Sequence, residues 1–219
     1  MRRNIIILNL FLGIVALLLY GCQPEHQLTA EEYLKQGVHF ETSKQYNNAI
    51  RTYTKALEIN PLYAEAYKKR GEVWSKKKDF DKAVADFTES VKINPHDADS
   101  YNDRGIAWSK KRDYDQAIAD FNKAIVINSR YADAYNNRGV ILARKGHYDQ
   151  AIDDFTKALE IDSFYADAYY NRGVTWCDKG NLQQALADIE KSFNLKPEDQ
   201  RNKKTETLME IRIKNFEIE

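Results

Sequence analysis

From Ala64 onward, apolar and small residues fall into two short stripes separated by a polar connector, and the arrangement then begins again. The first stripe places Tyr67, Gly71 and Trp74, or Tyr101, Gly105 and Trp108, at spacings of four and three. The second places Ala117, Phe121 and Ala124, or Ala151, Phe155 and Ala158, at the same spacings. Such spacings put side chains on one face of an α-helix. The connectors, such as KKKDFDK (76–82) and RKGHYDQ (144–150), are polar. Each cycle therefore predicts a helix A, a turn and a helix B. A helix of about three turns is marginal alone, so stability must come from stacking one hairpin on the next. Glycine and alanine stand where the helices must approach closely, and aromatic rings fill the space beside them.

The cycle is 34 residues long. Gly37, Gly71, Gly105, Gly139 and Gly173 mark it, and Gly146 and Gly180 form a further pair at that interval. The phrase ADAYNNRG (132–139) returns as ADAYYNRG (166–173), with ADSYNDRG (98–105) and AEAYKKRG (64–71) upstream. Aligned on glycine, the chain holds five units: 30–63, 64–97, 98–131, 132–165 and 166–199. A period of this size signals a solenoid. The phrase recurs because every unit must dock on its predecessor in the same way. Thr29 and Glu32 form a T-x-x-E capping box before the first helix. After the last unit, residues 200–219 carry Leu208, Met209, Ile211, Ile213 and Phe216 among charges, a candidate helix capping the array.

These residues resemble the tetratricopeptide repeat family over 30–199: an aromatic at position 4 of the unit, Gly at 8, an aromatic or Leu at 11, Ala at 20, an aromatic at 24, a small residue at 27 and often Pro at 32. Pro61, Pro95 and Pro197 supply the last, whereas Ser129 and Ser163 replace it. Two other departures stand out. Ile189 replaces the aromatic at position 24, and Arg70, Arg104, Arg138 and Arg172 occupy position 7, where the family places Leu. The resemblance implies an all-α, right-handed superhelical solenoid with a concave groove that binds peptides or protein segments. Asp86, Asp120, Asp154 and Asp188 accompany the four arginines at position 23, whereas the first unit has Gln36 and Thr52 at the two positions. That co-occurrence predicts Arg–Asp pairs between helices A and B, within a unit or between units.

The first 27 residues differ from the rest. Arg2 and Arg3 precede an apolar stretch from Ile5 to Tyr20, interrupted by Asn9 and Gly13. As a helix it would rise about 24 Å, short of the ~30 Å hydrocarbon core, so it reads as a signal peptide. Leu19-Tyr20-Gly21-Cys22 resembles the lipobox of bacterial lipoprotein precursors, which implies cleavage before Cys22 and a lipid thioether on its sulfur. The alternative is an ordinary secretory leader with a chance cysteine. Residues 22–29 then form a linker. Gln23 lacks the Asp that favours inner-membrane retention, which leans toward the outer membrane. If Cys22 carries lipid, Cys177, the only other cysteine, has no intramolecular disulfide partner.

Composition narrows the function. Thirty-three basic residues balance 33 acidic ones, with no long basic run interleaved with aromatics, so no nucleic-acid footprint appears. The four histidines show no metal-ligand spacing, the glycines all have structural addresses, and no nucleophile–base arrangement can be nominated, so neither an enzyme, a metal nor a cofactor is expected. Trp74, Trp108 and Trp176, all at position 11, fall on the packing face.

Function should therefore lie in the groove. In the family it is lined by positions 2, 5, 9 and 12 of helix A. Here these are Glu65, Lys68, Glu72 and Ser75; Asp99, Asn102, Ile106 and Ser109; Asp133, Asn136, Val140 and Ala143; and Asp167, Tyr170, Val174 and Cys177. Members that clamp a partner's C-terminal carboxylate use Asn at position 9; this chain has Val38, Glu72, Ile106, Val140 and Val174 there, so that clamp is not recognisable. The expected protein is a lipid-anchored interaction scaffold of the bacterial envelope that binds protein or peptide partners. The alternative is a subunit of an envelope assembly machine for outer-membrane proteins or pili.

Overall fold

A computed structural model of the protein describes residues 28–198. The leader with Cys22, and the capping segment 200–219, lie outside the described residues. Within them run ten helices in five hairpins: α1 (Ala30–Thr42) with α2 (Tyr46–Ile59), α3 (Ala64–Lys76) with α4 (Phe80–Ile93), α5 (Ala98–Lys110) with α6 (Tyr114–Ile127), α7 (Ala132–Arg144) with α8 (Tyr148–Ile161), and α9 (Ala166–Asp178) with α10 (Leu182–Leu195). Each packs most extensively on its own partner and next on the adjoining hairpin, so the core is a row of small clusters rather than one centre. All-helical hairpins stacked at a fixed period make a solenoid, as expected.

The hairpins close the same way each time. Helix A ends in a residue with left-handed backbone: Lys44, Lys78 and Arg112 at φ 57°, 63° and 65°, and Gly146 and Gly180 at 80° and 88°. In the second unit the Lys78 N–H bonds to the Ser75 carbonyl at 2.9 Å and the Asp79 N–H to the Trp74 carbonyl at 3.0 Å, reversing the chain and satisfying the last turn. Asp79, Asp113 and Asn181 then cap helix B through their side chains. At the start of the array, the predicted box between Thr29 and Glu32 is formed.

Inside each hairpin, glycine and aromatic ring share one space. A methyl group built on Gly71 would lie 2.9 Å from the Phe87 ring, closer than carbon atoms tolerate. Where Ile189 replaces the ring, the equivalent methyl on Gly173 would instead meet the Ala185 carbonyl oxygen and Ile189, each at 3.0 Å.

The predicted Arg–Asp pairs lie within each hairpin and are bidentate. Arg70 donates from Nε and Nη2 to Asp86 at 2.8 and 2.7 Å, and Arg104, Arg138 and Arg172 repeat this with Asp120, Asp154 and Asp188. Each guanidinium also stacks on the tyrosine three residues earlier, 5.5 to 5.6 Å from ring centre. Its remaining Nη1 reaches back to the preceding hairpin, to Thr54, Thr88, Asn122 or Thr156. One side chain thus ties three helices. The junctions are also bridged on the outside: Lys111, Lys145 and Lys179 pair with Asp81, Asp115 and Asp149 of the preceding unit, and Lys77 bonds Asn47.

Candidate functional site

Successive A helices lie side by side, and the stripe of positions 2, 5, 9 and 12 runs along them on the side away from the arginines. The structure divides this stripe into two kinds of surface. In α3 the candidates are already paired: Lys68 lies 3.2 Å from Glu65 and 3.5 Å from Asp97, while Glu72 receives Lys69 at 3.0 Å. Burial works against the Lys68 ammonium, but the carboxylates of Asp97 and Glu65 hold its pKa above the ordinary lysine value.

From α5 onward the floor is amide and then apolar. Asn102 and Asn136 are buried, 4% and 6% exposed. Their amide oxygens accept from Asn137 at 3.1 Å and Asn171 at 2.9 Å, so the two residues form a ladder between successive A helices. A ligand meets only what that ladder leaves exposed. Ile106 packs on the Ala117–Phe121–Ile141 cluster, and Tyr170, Val174 and Cys177 pack on Ala185 and Ile189. Between α7 and α9, Val140, Ala143, Tyr170 and Val174 line a cleft of about 230 Å³ with Arg144 and Asp178 at its mouth. Small-molecule sites run to about 300–1,000 Å³; this cleft suits a single side chain.

The acidic row at position 2 is brought together along one edge, and each member has a partner. Glu31 pairs with Lys35, and Glu65 with Lys68. Asp133 accepts the hydroxyl of Tyr165 at 2.5 Å, and the Asp99 carboxylate acts on the hydroxyl of Tyr131 and raises its pKa. Asp167 pairs with Lys196 at 3.0 Å. Burial, followed by these carboxylates, pushes both tyrosine hydroxyls well above their usual pKa. From the third unit on, the row therefore latches helix A to the chain entering the next turn of the solenoid. Asp99 and Asp133 remain exposed.

Two contributors escaped the sequence reading. The tyrosines of the latch stand at the last position of a unit. Position 6 supplies the other half of the ladder through Asn137 and Asn171, and is Asp103 in the third unit; its amide and acid character in three consecutive units was the available signal. Asp103 is the distinctive member. Its carboxyl is pushed up to about 6, first by burial and then by the charges of Glu72 and Asp99, against the opposing pull of Asn102 and Lys68.

Among the described residues no group of three or more His, Cys, Asp or Glu could hold a metal ion, and no helix is long and apolar enough to cross a membrane. Models described as tetratricopeptide repeat match residues 64–97 and 132–165, and 30–61 and 166–199, and one described as TPR repeat matches 110–146. No curated protein matches the chain. Among solved structures, YrrB, described as a TPR protein with an unusual peptide-binding site, is 27% identical over 79% of this chain and 89% of its own, with a TM-score of 0.65. MamA is 25% identical over 75% and 96%, with a TM-score of 0.69. PilW, described as a type IV pilus biogenesis factor, shares the fold at 21% identity over 76% and 77%, with a TM-score of 0.70.

Proposed function

The chain belongs to the tetratricopeptide repeat family, and from that premise we propose that its groove binds an extended segment of a partner protein while Cys22 anchors the chain to a bacterial envelope membrane. The observation that carries the first part is the side-chain-sized cleft between α7 and α9, floored by Val140, Tyr170 and Val174. Its apolar floor would take an aliphatic or aromatic side chain. The exposed carboxylates of Asp99 and Asp133 along the edge favour lysine or arginine elsewhere in the same segment. The description of YrrB as a peptide binder supports the same reading.

The test is selection of a displayed random-peptide library on the wild-type protein and on Val140→Lys/Val174→Lys. Enriched peptides should pair an apolar residue with basic ones and lose binding to the variant. Peptides that hold both proteins equally would remove the groove from the reading.

The anchor rests on the leader sequence and its Leu19-Tyr20-Gly21-Cys22 motif. Mass spectrometry of the membrane fraction should find Cys22 as an acylated N-terminus, and Cys22→Ser should lose the acyl mass. A wild-type chain without acyl mass would overturn it.

A further inference from the structure

The repeat provides its own internal standard, because the same position can be compared in five units. Position 11 of helix A is Trp74, Trp108 and Trp176 in three units and Phe40 in the first, but Leu142 in the fourth. In the intact cases a lysine at position 14 lies over the indole: Lys77 over Trp74 at 5.6 Å, Lys111 over Trp108 at 4.8 Å, Lys179 over Trp176 at 5.5 Å. Lys145 occupies that position in the fourth unit with no ring beneath it.

The missing ring leaves space. Trp108 packs against the cluster that holds Val84, which is 8% exposed, and the equivalent Ile152 before Trp176 is 7% exposed. Ile118, the equivalent residue before Leu142, is only half-buried; Ile50 of the first unit is half-buried too although Trp74 follows it, so it is the cleft itself that marks the fourth unit. A cleft of about 370 Å³ opens here, floored by Ile118 and Leu142 and backed by the Arg138–Asp154 pair. Positions 7 and 11 lie across helix A from position 9, about 200° away, so this cleft is on the opposite side of α7 from the groove.

A second departure falls in the same place. Position 22 is Ala85, Ala119 and Ala187 in three units and Arg51 in the first, but Asp153 in the fourth. Asp153 lines the cleft beside Gln150, is exposed, and makes no hydrogen bond or ion pair among the described residues. The Arg138–Asp154 pair is neutral as a unit, so Asp153 sets the sign of the mouth.

The geometry points to a second recognition site between α6, α7 and α8, which receives an aromatic side chain from a partner protein with a lysine or arginine beside it. The incoming ring takes the place that a tryptophan fills in the neighbouring units. The adjacent cation meets the carboxylate of Asp153. This site is independent of the groove, and the two can be occupied together.

The probe is the peptide acetyl-Lys-Trp-Lys-amide, followed by amide chemical shifts of the labelled protein. Wild type should show saturable shifts at Ile118, Leu142 and Gln150, with a roughly millimolar Kd as befits so small a ligand. Leu142→Trp, which restores the ring from within, should abolish them. Asp153→Ala, a surface change that restores the repeat's own residue, should weaken binding by about threefold and flatten its salt dependence. Absent shifts at the cleft, shifts that persist in Leu142→Trp, or Asp153→Ala binding as tightly as wild type would overturn the proposal. Shifts confined to Val140, Tyr170 and Val174 would also overturn it and would report the groove instead.

Discussion

Arg104 and Asp120, sixteen residues apart on α5 and α6, face each other through two parallel hydrogen bonds of 2.8 and 2.7 Å, with the carboxylate side chain only 7% exposed. Fork and carboxylate match in plane, and a third N–H of the same guanidinium reaches Thr88 at 3.2 Å. Removing one partner strands the other charge away from water. Asp120→Ala should therefore cost about 2–4 kcal/mol in urea unfolding, well above the ~0–1 kcal/mol of a surface pair. Arg104→Lys, which keeps the charge but loses the fork, should recover less than half of the stability lost in Arg104→Ala. A double-mutant cycle with a coupling near zero would reduce the pair to surface decoration.

Asp103 predicts a pH dependence of unusual sign. Its folded-state value near 6 lies above the ~3.9 of an unfolded aspartate. The native state thus holds a proton that the unfolded chain releases, so this group's contribution is fully present below about pH 4 and is lost as pH rises through 6. Asp103→Asn should be more stable than wild type by about 1 kcal/mol at pH 7, since partial solvent contact screens the rest of the penalty. The difference should fade toward pH 4. A pH-independent difference would rule out Asp103 as its source.

The left-handed residue at the end of helix A is glycine in two units and lysine or arginine in three. A side chain in that conformation costs about 1–2 kcal/mol, partly offset by the backbone freedom that glycine loses on folding. Lys78→Gly should raise stability by about 0.5–1 kcal/mol. The reverse change, Gly146→Lys, should lower it by a similar amount. Thermal denaturation of the two variants reads both signs.

The acidic edge carries a structural and a binding role that asparagine separates. Asp133→Asn retains an acceptor for the hydroxyl of Tyr165 and Asp167→Asn one for Lys196, while Asp99→Asn removes the charge that acts on Tyr131. The triple variant should stay folded, losing about 1–2 kcal/mol from weakened charge-assisted bonds and from the helix dipole. Its affinity for basic peptides selected on wild type should fall and become insensitive to salt. Unchanged affinity would leave the row only its latching role.

Much of this architecture is written in the sequence because a solenoid must solve one docking problem five times. A pattern repeated at 34 residues survives local noise, so helices, turns, the capping box at Thr29 and the Gly71–Phe87 type of contact could be read directly. Even the Arg–Asp pairs were legible, since both partners are missing together from the unit with Gln36 and Thr52. Tertiary structure decided whatever depends on neighbours in adjoining units. Asn102 and Asn136 sit on the groove stripe by periodicity, yet their partners Asn137 and Asn171 lie 35 residues away and draw them into the floor. The acids at position 2 read as groove-lining residues, and the bond from Tyr165 to Asp133 shows that the row also holds helix A to the chain that follows. Leu142 for tryptophan is a conservative exchange in a list of apolar positions, and only the stacking of α7 on α6 turns the lost volume into a cleft. Helical periodicity specifies which way a side chain points. The rise and tilt between hairpins specify what it meets, and those emerge from packing five units together.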